Sequence, residues 1–482
     1  AEGVRMVAEC YEEIKVYHPH PNWAQQYASD WWNPVVTLIR SVLADSGVSP
    51  TDIKAIGVSG QAPTALFLDE EGEPLDPAII WMDRRAENEC AEIRSAGGGD
   101  EIYAITGNQL DASFILPKIL WVQKNRPELM ARARVVLQPN GFINYKLTGE
   151  YATDRNNAGL SLLYNIREGA WSSTLLDKYE IPHTLMPRIY DCTEIMGVVS
   201  EGASAETGLA PGTPVIAGAI DAFAGAVEAG IVSKGHAYLA TGTSSVLGMA
   251  LDGIHTSPYI STGVGLDSQQ GLMFASMSTT GASYKWFRDT LFGGENAGNT
   301  AYELMNREIC KDAPTPSGII YFPYLMGERS PIWDTNARAA FIGISASTTR
   351  GQLMRSVMEG TCFALRDNIE VATTAGADLT GLRVNGGCNN SDIWMKIKAS
   401  VVNMPIEVPN VSFGGPAGLA MMMMPVTGES PSVQDAVAQH VSANKTYHPV
   451  AEWVDQYNSM YRIYKNLYEH MKEDFADLAS IG

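Results

Sequence analysis

The chain has 482 residues, 45% hydrophobic and 18% charged, which is enough for two or three domains with a substantial core. Its formal net charge of −20 at pH 7 argues against nucleic acid or an anionic membrane as a partner, because both repel an acidic surface. The six cysteines are scattered without a CxxC pair, and no apolar run reaches membrane-spanning length. No signal peptide is recognisable. We therefore expect a cytoplasmic enzyme with reduced thiols.

The first 180 residues show the alternation of strands and helices that is typical of an α/β protein. Residues 4–14 alternate in polarity and predict a strand, and residues 33–46 predict a helix. Residues 52–60 and 64–68 predict two strands around the turn Gln61-Ala62-Pro63. Further helices are predicted at 114–125, 139–147 and 171–179.

The segment Ile79-Ile80-Trp81-Met82-Asp83-Arg84-Arg85 carries an indole ring and three charges directly after an apolar pair. One interpretation is a helix start with solvated charges. The other is a sugar site, in which Trp81 covers an apolar face of the sugar while Asp83 and the arginines hydrogen-bond its hydroxyl groups. The residues alone leave both interpretations open.

A carboxylate follows the predicted strand 214–218, where an Ala/Gly-rich helix begins. This residue, Asp221, is predicted at the C-terminal edge of a sheet, where open α/β folds bind ligands. It also lies at the positive end of a helix dipole. Its position fits a general base, a metal ligand or a simple helix cap.

A small polar turn, Gly242-Thr243-Ser244-Ser245, follows a second predicted strand at 236–241. Its backbone N–H groups are suited to cradle a phosphate. Taken alone, such a turn is more often only a turn. Together with Asp221, it indicates acid–base chemistry facing a phosphate.

The second half of the chain repeats the pattern of strand, glycine turn and helix. A strand at 382–384 leads into the turn 385–391 and a helix at 393–402, and a further turn, Phe413-Gly414-Gly415-Pro416, opens another helix. A long helix is predicted at 349–374. None of the turns has the GxGxxG spacing, so a Rossmann dinucleotide site is disfavoured.

Eight phrases in a fixed order resemble the FGGY carbohydrate kinases, the family of xylulokinase, glycerol kinase and gluconate kinase. Each phrase is modest evidence, whereas the ordered set covers nearly the whole chain and is specific. The phrases are SGQ at 59–61, IIWMDRR at 79–85, TG at 106–107 with PKILW at 117–121, LTGEYATD at 147–154, the Asp221 segment, GTSS at 242–245, YFPYLMGERSP at 321–331 and the turn at 386–394.

The resemblance implies an α/β fold with two actin-like (ribonuclease H-like) domains and an active-site cleft between them. Residues 1–233 would form the sugar-binding side and residues 234–482 the ATP-binding side. The expected partners are a small sugar and ATP, with Mg²⁺ arriving on the nucleotide and held largely by phosphate oxygens, water and one or two carboxylates. Neither nucleic acid nor a membrane is expected, and a homodimer would be common among relatives.

The resemblance also implies the roles of individual residues. Asp221 would take the proton from the sugar hydroxyl as that oxygen attacks the γ-phosphate. No metal ligand is assigned. The sugar-binding residues would be Gln61, Ala62, Pro63, Trp81, Asp83 and Asp221, and the ATP-binding residues Gly242, Thr243, Gly386, Gly387 and Asn390.

The sugar loop departs from the family pattern. Xylulokinases usually carry Met-His after SGQ and glycerol kinases carry Arg-Glu after a similar Gln, whereas this chain has Ala62-Pro63. Ser113 stands where glycerol kinases place a Tyr. Glycerol is therefore disfavoured, and a pentulose such as xylulose is favoured over tetritols and sugar acids.

The family's first phosphate-binding hairpin, of the Asp-Gly-Thr-Ser/Thr type, has no counterpart before Ala1. We expect residues 1–482 to be a truncated form with an incomplete first sheet and weak kinase activity. An alternative is a non-catalytic sugar or nucleotide sensor on the same fold, which the intact Asp221 and GTSS phrases argue against.

Overall fold

The chain folds into two successive groups of strands and helices joined by residues 229–234. The computed structural model describes residues 4–292, 298–410 and 414–481. Short strand pairs dominate the first group, and one large sheet dominates the second. Within the described ranges, no helix has both the length and the apolar character that a membrane crossing needs.

The first group alternates helices with strands of two to four residues. Its helices are α1 (Ser29–Ser46), α2 (Glu87–Ser95), α3 (Gly98–Thr106), α4 (Ile115–Asn125), α5 (Pro127–Met130), α6 (Pro139–Thr148), α7 (Arg155–Gly159), α8 (Ser173–Lys178), α9 (Glu201–Thr207) and α10 (Asp221–Glu228). Its strands are β1 (Gln25–Gln26), β2 (Ser59–Gly60), β3 (Leu66–Leu68), β4 (Ala78–Ile79), β5 (Val135–Leu137), β6 (Ala152–Asp154), β7 (Tyr164–Asn165), β8 (Ala170–Trp171), β9 (Arg188–Tyr190), β10 (Ile195–Val198), β11 (Pro214–Ile216) and β12 (Ala219–Ile220).

The second group contains longer strands and the longest helices. Its strands are β13 (Gly235–Thr241), β14 (Ser245–Ala250), β15 (Ser261–Val264), β16 (Gly271–Met277), β17 (Ile320–Phe322), β18 (Ala340–Ile342), β19 (Leu379–Gly386), β20 (Ile406–Pro409) and β21 (Ala443–Tyr447). Its helices are α11 (Gly281–Phe287), α12 (Gly298–Asp312), α13 (Arg350–Thr374), α14 (Asp392–Val402), α15 (Pro416–Thr427), α16 (Val433–His440) and α17 (Ala451–Ile481).

Seven strands of the second group form one mixed sheet in the order β15-β16-β14-β13-β19-β20-β21. The strands β15, β16, β14 and β13 are antiparallel neighbours, whereas β19 and β20 add parallel to β13. In the β13/β19 pair, Thr241 lies opposite Gly386. The turns that follow these two strands therefore leave the sheet at the same edge.

In the first group, the short parallel pair of β2 and β12 likewise brings the segments that follow its two strands to the same edge. Ala219 lies opposite Ser59, and Ile220 lies opposite Gly60. The predicted strand 214–218 is interrupted at Gly218, whose φ is 81° and whose added Cβ would lie 2.0 Å from the Val58 carbonyl oxygen. After Gly218 the chain continues as β12. Because Ile220 pairs with Gly60, the next residues along the two strands, Asp221 and Gln61, lie beside each other.

The predicted strand at 4–14 is not formed. A strand needs a neighbour that completes its hydrogen-bond ladder, and no described strand pairs with this segment. Ala1, Glu2 and Gly3, which precede this segment, lie outside the described residues. So does Phe413, the first residue of the predicted turn at 413–416. The predicted helices at 114–125, 139–147, 349–374 and 393–402 are confirmed as α4, α6, α13 and α14.

Helix α10 belongs to the first group in sequence but packs against elements of the second. Its buried Phe223, Ala224 and Val227 share one apolar cluster with Met421 and Met422 of α15. The same cluster includes Ala250 and Leu272 of the large sheet. Because its first residue follows β12, α10 bridges the two halves of the molecule.

Candidate active site

Asp221 is the first residue of α10 and directly follows β12. The parallel pairing of β12 with β2 brings the ends of both strands together, so that Gln61 and Asp221 leave the pair side by side. Asn156 supports this junction, because its Oδ1 accepts a hydrogen bond of 3.3 Å from the Ile220 N–H. The main chain of β12 on one side and of α10 on the other therefore positions the Asp221 carboxylate.

The environment of Asp221 shifts its pKa. The side chain is exposed, yet enough protein surrounds it that desolvation raises the pKa of the carboxyl, and a hydrogen bond from the Ala222 N–H partly opposes this rise. That N–H lies 2.6 Å from Oδ1. A carboxylate with a raised pKa and solvent access has the properties of a general base.

The loop Gln61-Ala62-Pro63 is held at both ends by buried side chains. Gln61 Nε2 donates a hydrogen bond of 2.5 Å to Gln26 Oε1. At the other end, the Pro63 carbonyl oxygen accepts a hydrogen bond of 2.9 Å from Lys118 Nζ. The loop is thus fixed through one amide and one main-chain carbonyl, while Ala62 and Pro63 contribute no polar side-chain atoms.

Lys118 received no role in the sequence analysis. It lies in α4 and is fully buried, and burial lowers its pKa to about 7. The carboxylates of Asp83 and Asp111 oppose this shift, whereas Arg85 and Arg84 add to it. A lysine inside the apolar run FILPKILW was the available signal, because an unpaired lysine is rarely placed in a core.

Trp81 and Asp83 are placed differently from each other. The bridge between Ala65 and Ile79 is antiparallel, so Trp81 and Pro63 lie at the same end of that pair. The Trp81 side chain is 44% exposed and offers a ring face to a ligand.

Asp83, by contrast, is only 1% exposed. Its Oδ1 accepts hydrogen bonds from the N–H and Nε of Arg85, and its Oδ2 accepts from Arg85 Nη2 and the Ala24 N–H. Arg85 in turn stacks on Trp23, with its guanidinium carbon 3.7 Å from the ring centroid. The carboxylate expected to contact sugar hydroxyls is therefore committed inside the protein, where it orders the loop that carries Trp81.

The glycine turns of the second group surround a cavity of about 360 Å³. Gly242 and Gly386 both line it, as the register of β13 and β19 requires. Thr243, Gly387 and Asn390 follow these glycines and are exposed at the same edge of the sheet. The remaining lining residues are Tyr238, Ala240, Thr241, Ser244, Val246 and Asn385, none of which was assigned from the sequence.

Gly386 shows why this edge needs glycine. Its φ is 119°, and an added Cβ would lie 1.9 Å from the Thr241 carbonyl oxygen. Two hydroxyls beside the Gly242 turn, those of Thr241 and Ser245, are buried without a hydrogen-bond partner among the described residues. Hydroxyl groups without a hydrogen-bond partner, next to a glycine that packs closely against the neighbouring strand, fit a polar ligand such as a phosphate.

A third turn, Thr280-Gly281-Ala282-Ser283, which precedes a helix predicted from the sequence and received no ligand role there, packs onto the Gly242 turn. The N–H groups of Thr280 and Ala282 donate to the Thr243 carbonyl oxygen at 3.0 Å, and the Gly281 N–H donates to the Gly242 carbonyl oxygen at 3.1 Å. An added Cβ at Gly281 would lie 2.4 Å from that oxygen. The segment TTGAS was the available signal, because it repeats the small-residue pattern of GTSS.

No protein metal centre is formed by the described residues: they contain no group of three or more His, Cys, Asp or Glu that could hold a metal ion.

Comparisons with known proteins identify the family of the chain. Residues 2–227 match the model of the FGGY family of carbohydrate kinases, N-terminal domain, and residues 237–424 match the C-terminal domain. Xylulose kinase of Bacillus subtilis is 28% identical over 473 residues, covering 97% of this chain and 93% of its own. Glycerol kinase of Trichodesmium erythraeum is 30% identical over 422 residues, covering 84% and 81%.

The solved structures lead to the same family. Xylulose kinase from Rhodospirillum rubrum superposes with a TM-score of 0.89 at 26% identity, covering 96% of this chain and 93% of that one. The expected α/β fold with two actin-like domains is thereby confirmed. The chain belongs to the FGGY family of carbohydrate kinases and is an enzyme of that kind.

Proposed function

We propose that the protein transfers the γ-phosphate of ATP to a hydroxyl group of a pentulose such as xylulose, with Asp221 as the general base. The observation that carries the proposal is the position of Asp221, an exposed carboxylate with a raised pKa at the end of β12. The division into a sugar side (1–233) and an ATP side (234–482) is part of the same proposal.

The proposed chemistry needs little more than positioning and one base. Asp221 accepts the proton of the sugar hydroxyl as the hydroxyl oxygen forms its bond to the γ-phosphorus. The bond between that phosphorus and the β,γ-bridging oxygen breaks, and ADP leaves with the bond electrons. Mg²⁺, bound through the phosphates, would neutralise charge on the transferred group.

The nucleotide side of the proposal rests on the glycine turns. Gly242 and Thr243 would lie against the phosphates, and Gly386, Gly387 and Asn390 would approach the adenosine. The close approach of Gly386 to Thr241 and the orphaned hydroxyls of Thr241 and Ser245 support this assignment.

The sugar side rests on Gln61, Ala62, Pro63 and Trp81. Asp83 enters as a support for the Trp81 loop, since its oxygens are engaged by Arg85 and Ala24. Several similar proteins are named xylulose kinase, which favours a pentulose as the acceptor. Ala62 and Pro63 offer no side-chain hydrogen bond, so the main chain and Gln61 would provide the polar contacts of this loop.

The test is Asp221→Asn, assayed by coupled ADP release over D-xylulose, other pentuloses, tetritols and aldonic acids. Loss of a general base should lower kcat by about 10³-fold with the best sugar. MgADP binding, measured by calorimetry, should stay within about twofold of wild type, since a neutral isostere leaves the nucleotide side intact. Asp477→Asn, an exposed position in α17, serves as the matched control.

Two results would contradict the proposal. One is a kcat for Asp221→Asn close to that of wild type. The other is a natural gene product that releases ADP with none of the sugars, which would revive the sensor interpretation.

A further inference from the structure

A second carboxylate, at the opposite end of the base-bearing helix, is buried. Glu228 is the last residue of α10 and is 3% exposed. Acidic side chains are almost never fully buried unless their oxygens are satisfied. The sequence around it, DAFAGAVEAG, contains no cation.

Main-chain donors from a distant segment satisfy this carboxylate. The Gly414 N–H donates to Glu228 Oε1 at 3.1 Å, and the N–H groups of Gly415 and Ala417 donate to Oε2 at 2.8 and 3.3 Å. Gly414 and Gly415 have φ angles of 79° and 118°, a region that favours glycine, and their N–H groups converge on the same carboxylate. Glu228 thus occupies the place that a ligand anion would take at the start of α15.

The two helices joined in this way touch through their backbones. A Cβ added to Gly418 of α15 would lie 1.9 Å from the Ala224 carbonyl oxygen and 2.9 Å from the Glu228 nitrogen. No side chain separates α10 from α15 at this point. A displacement of the turn 414–417 is therefore transmitted directly to α10.

The middle of α10 adjoins the cavity on the nucleotide side. Tyr238 lines that cavity, and its hydroxyl and Cε1 lie 3.9 Å from the Cβ position of Gly225 in α10. Burial raises the pKa of Tyr238, and the nearby charge of Glu228 raises it further. Tyr238 and Glu228 are therefore close enough to interact electrostatically.

The proposed base, Asp221, is thus the first residue of α10. The later residues Gly225 and Glu228 lie near Tyr238, which lines the nucleotide cavity. The eight residues of α10 span about 12 Å at 1.5 Å per residue. We infer that Glu228 is a positioning residue, which fixes the turn 414–417 to α10 and so sets the wall of the nucleotide cavity relative to Asp221. The inference rests on the proposed function in placing the nucleotide at this cavity.

The experiment uses Glu228→Gln in the full chain. Glutamine keeps the size of the side chain, but its NH₂ group replaces one acceptor oxygen and faces N–H donors. The side chain therefore cannot accept hydrogen bonds from all three N–H groups. MgADP affinity, measured by calorimetry, should fall about tenfold, which equals about 1.4 kcal/mol. KM for D-xylulose should stay within about twofold of wild type, since the sugar loop does not contact Glu228.

Hydrogen exchange gives a second readout that does not depend on turnover. The amides of Gly414, Gly415 and Ala417 should exchange faster in Glu228→Gln, because one of the two acceptor oxygens is lost. Amides of α4, in the other half of the molecule, should exchange as in wild type. Glu303→Gln, whose side chain is 68% exposed, is the matched control and should change neither readout.

Unchanged MgADP affinity together with unchanged exchange at 414–417 would overturn the inference. Equal losses of nucleotide and sugar affinity would also overturn it, because they indicate general destabilisation. If Glu228→Gln does not fold, Glu228→Asp repeats the test, since it keeps the charge and withdraws it by about 1.5 Å. A wild-type protein that fails to bind MgADP would refute the proposed function, whereas the exchange comparison would still decide the role of Glu228.

Discussion

Lys118 Nζ donates a hydrogen bond of 2.9 Å to the carbonyl oxygen of Pro63, 55 residues earlier in the chain. The lysine is fully buried in α4, and Pro63 lies in the proposed sugar loop. The bond therefore fixes the main chain of that loop without using any of its side chains.

A first prediction concerns the pH dependence of stability through Lys118. Its native pKa of about 7 lies below its ordinary value of 10.5, so between these values the unfolded chain binds more protons than the native protein. The free energy of unfolding should therefore rise with pH in this window, by up to about 1.4 kcal/mol per pH unit. Lys118→Met should remove this contribution.

Urea unfolding at pH 7, 8 and 9 measures the effect as the difference between wild type and Lys118→Met. That difference should grow in favour of wild type as the pH rises. Lys311→Met, with a side chain 84% exposed, is the control and should show no such trend. A difference that does not change with pH would contradict the prediction.

A second prediction has the opposite sign and concerns Asp154. This carboxylate is fully buried and caps α7, accepting hydrogen bonds from the Asn157 N–H at 2.8 Å and from Asn140 Nδ2 at 2.7 Å. Burial raises its pKa from 3.8 to about 6, against the opposing effect of these hydrogen bonds. Between pH 3.8 and 6 the native protein binds more protons than the unfolded chain, so its contribution to stability falls as the pH rises.

Asp154→Asn should abolish that slope while leaving one oxygen to accept hydrogen bonds. Denaturant unfolding at pH 4.5, 5.5 and 6.5 would show wild type losing stability relative to the variant as the pH increases. Parallel curves for the two proteins would show that Asp154 does not titrate in this range.

A third prediction tests the close approach at Gly386. Gly386→Ala would place a Cβ 1.9 Å from the Thr241 carbonyl oxygen at a φ of 119°, so the strands β13 and β19 would have to separate. We expect MgADP affinity to fall by more than about tenfold and the melting temperature to drop by several degrees. Gly387→Ala, whose Cβ meets nothing within 4 Å, should leave the melting temperature unchanged. Equal melting temperatures for the two variants would refute the steric argument.

A fourth prediction concerns a buried ion pair within α13, which is linked to α17 through Tyr457. Arg355 and Glu359 are fully buried, with Arg355 Nε 2.8 Å from Glu359 Oε1, and both contact the Tyr457 hydroxyl. Arg355→Met alone leaves an uncompensated buried carboxylate and should cost about 3 to 5 kcal/mol of unfolding free energy. The double variant Arg355→Met/Glu359→Gln should cost less than the sum of the single changes. Additive losses in urea unfolding would show that the two side chains are not coupled.

The position of Asp221 and the glycine turns was predictable from the sequence, because ligands gather at the C-terminal ends of parallel strands. Asp221 and Gly242 directly follow the strands β12 and β13, and Gly386 is the last residue of β19. Their roles in binding and catalysis stay predictions. The family and the two-domain fold were also within reach, since the ordered phrases cover nearly the whole chain.

The lysine inside the apolar run FILPKILW was a signal, but the partners of Lys118 and Glu228 were not predictable. These partners are the carbonyl oxygen of Pro63 and the N–H groups of Gly414, Gly415 and Ala417, and main-chain atoms leave no signature in a sequence. Asp83 shows the converse case: a carboxylate beside a tryptophan predicts a sugar contact, whereas in the structure both of its oxygens accept hydrogen bonds from Arg85 or Ala24. Its pairing with Arg85 depends on packing against Trp23, 60 residues away, which local pattern does not reveal.

The attachment of the sugar loop through the Pro63 carbonyl has a practical consequence for protein engineering. Because Lys118 anchors main chain, a change of the side chain at position 62 removes no hydrogen bond of this anchor, and Ala62 itself packs against the apolar cluster of α10. A library restricted to position 62, with Lys118, Asp83 and Arg85 left untouched, would sample new acceptor preferences on an unchanged scaffold.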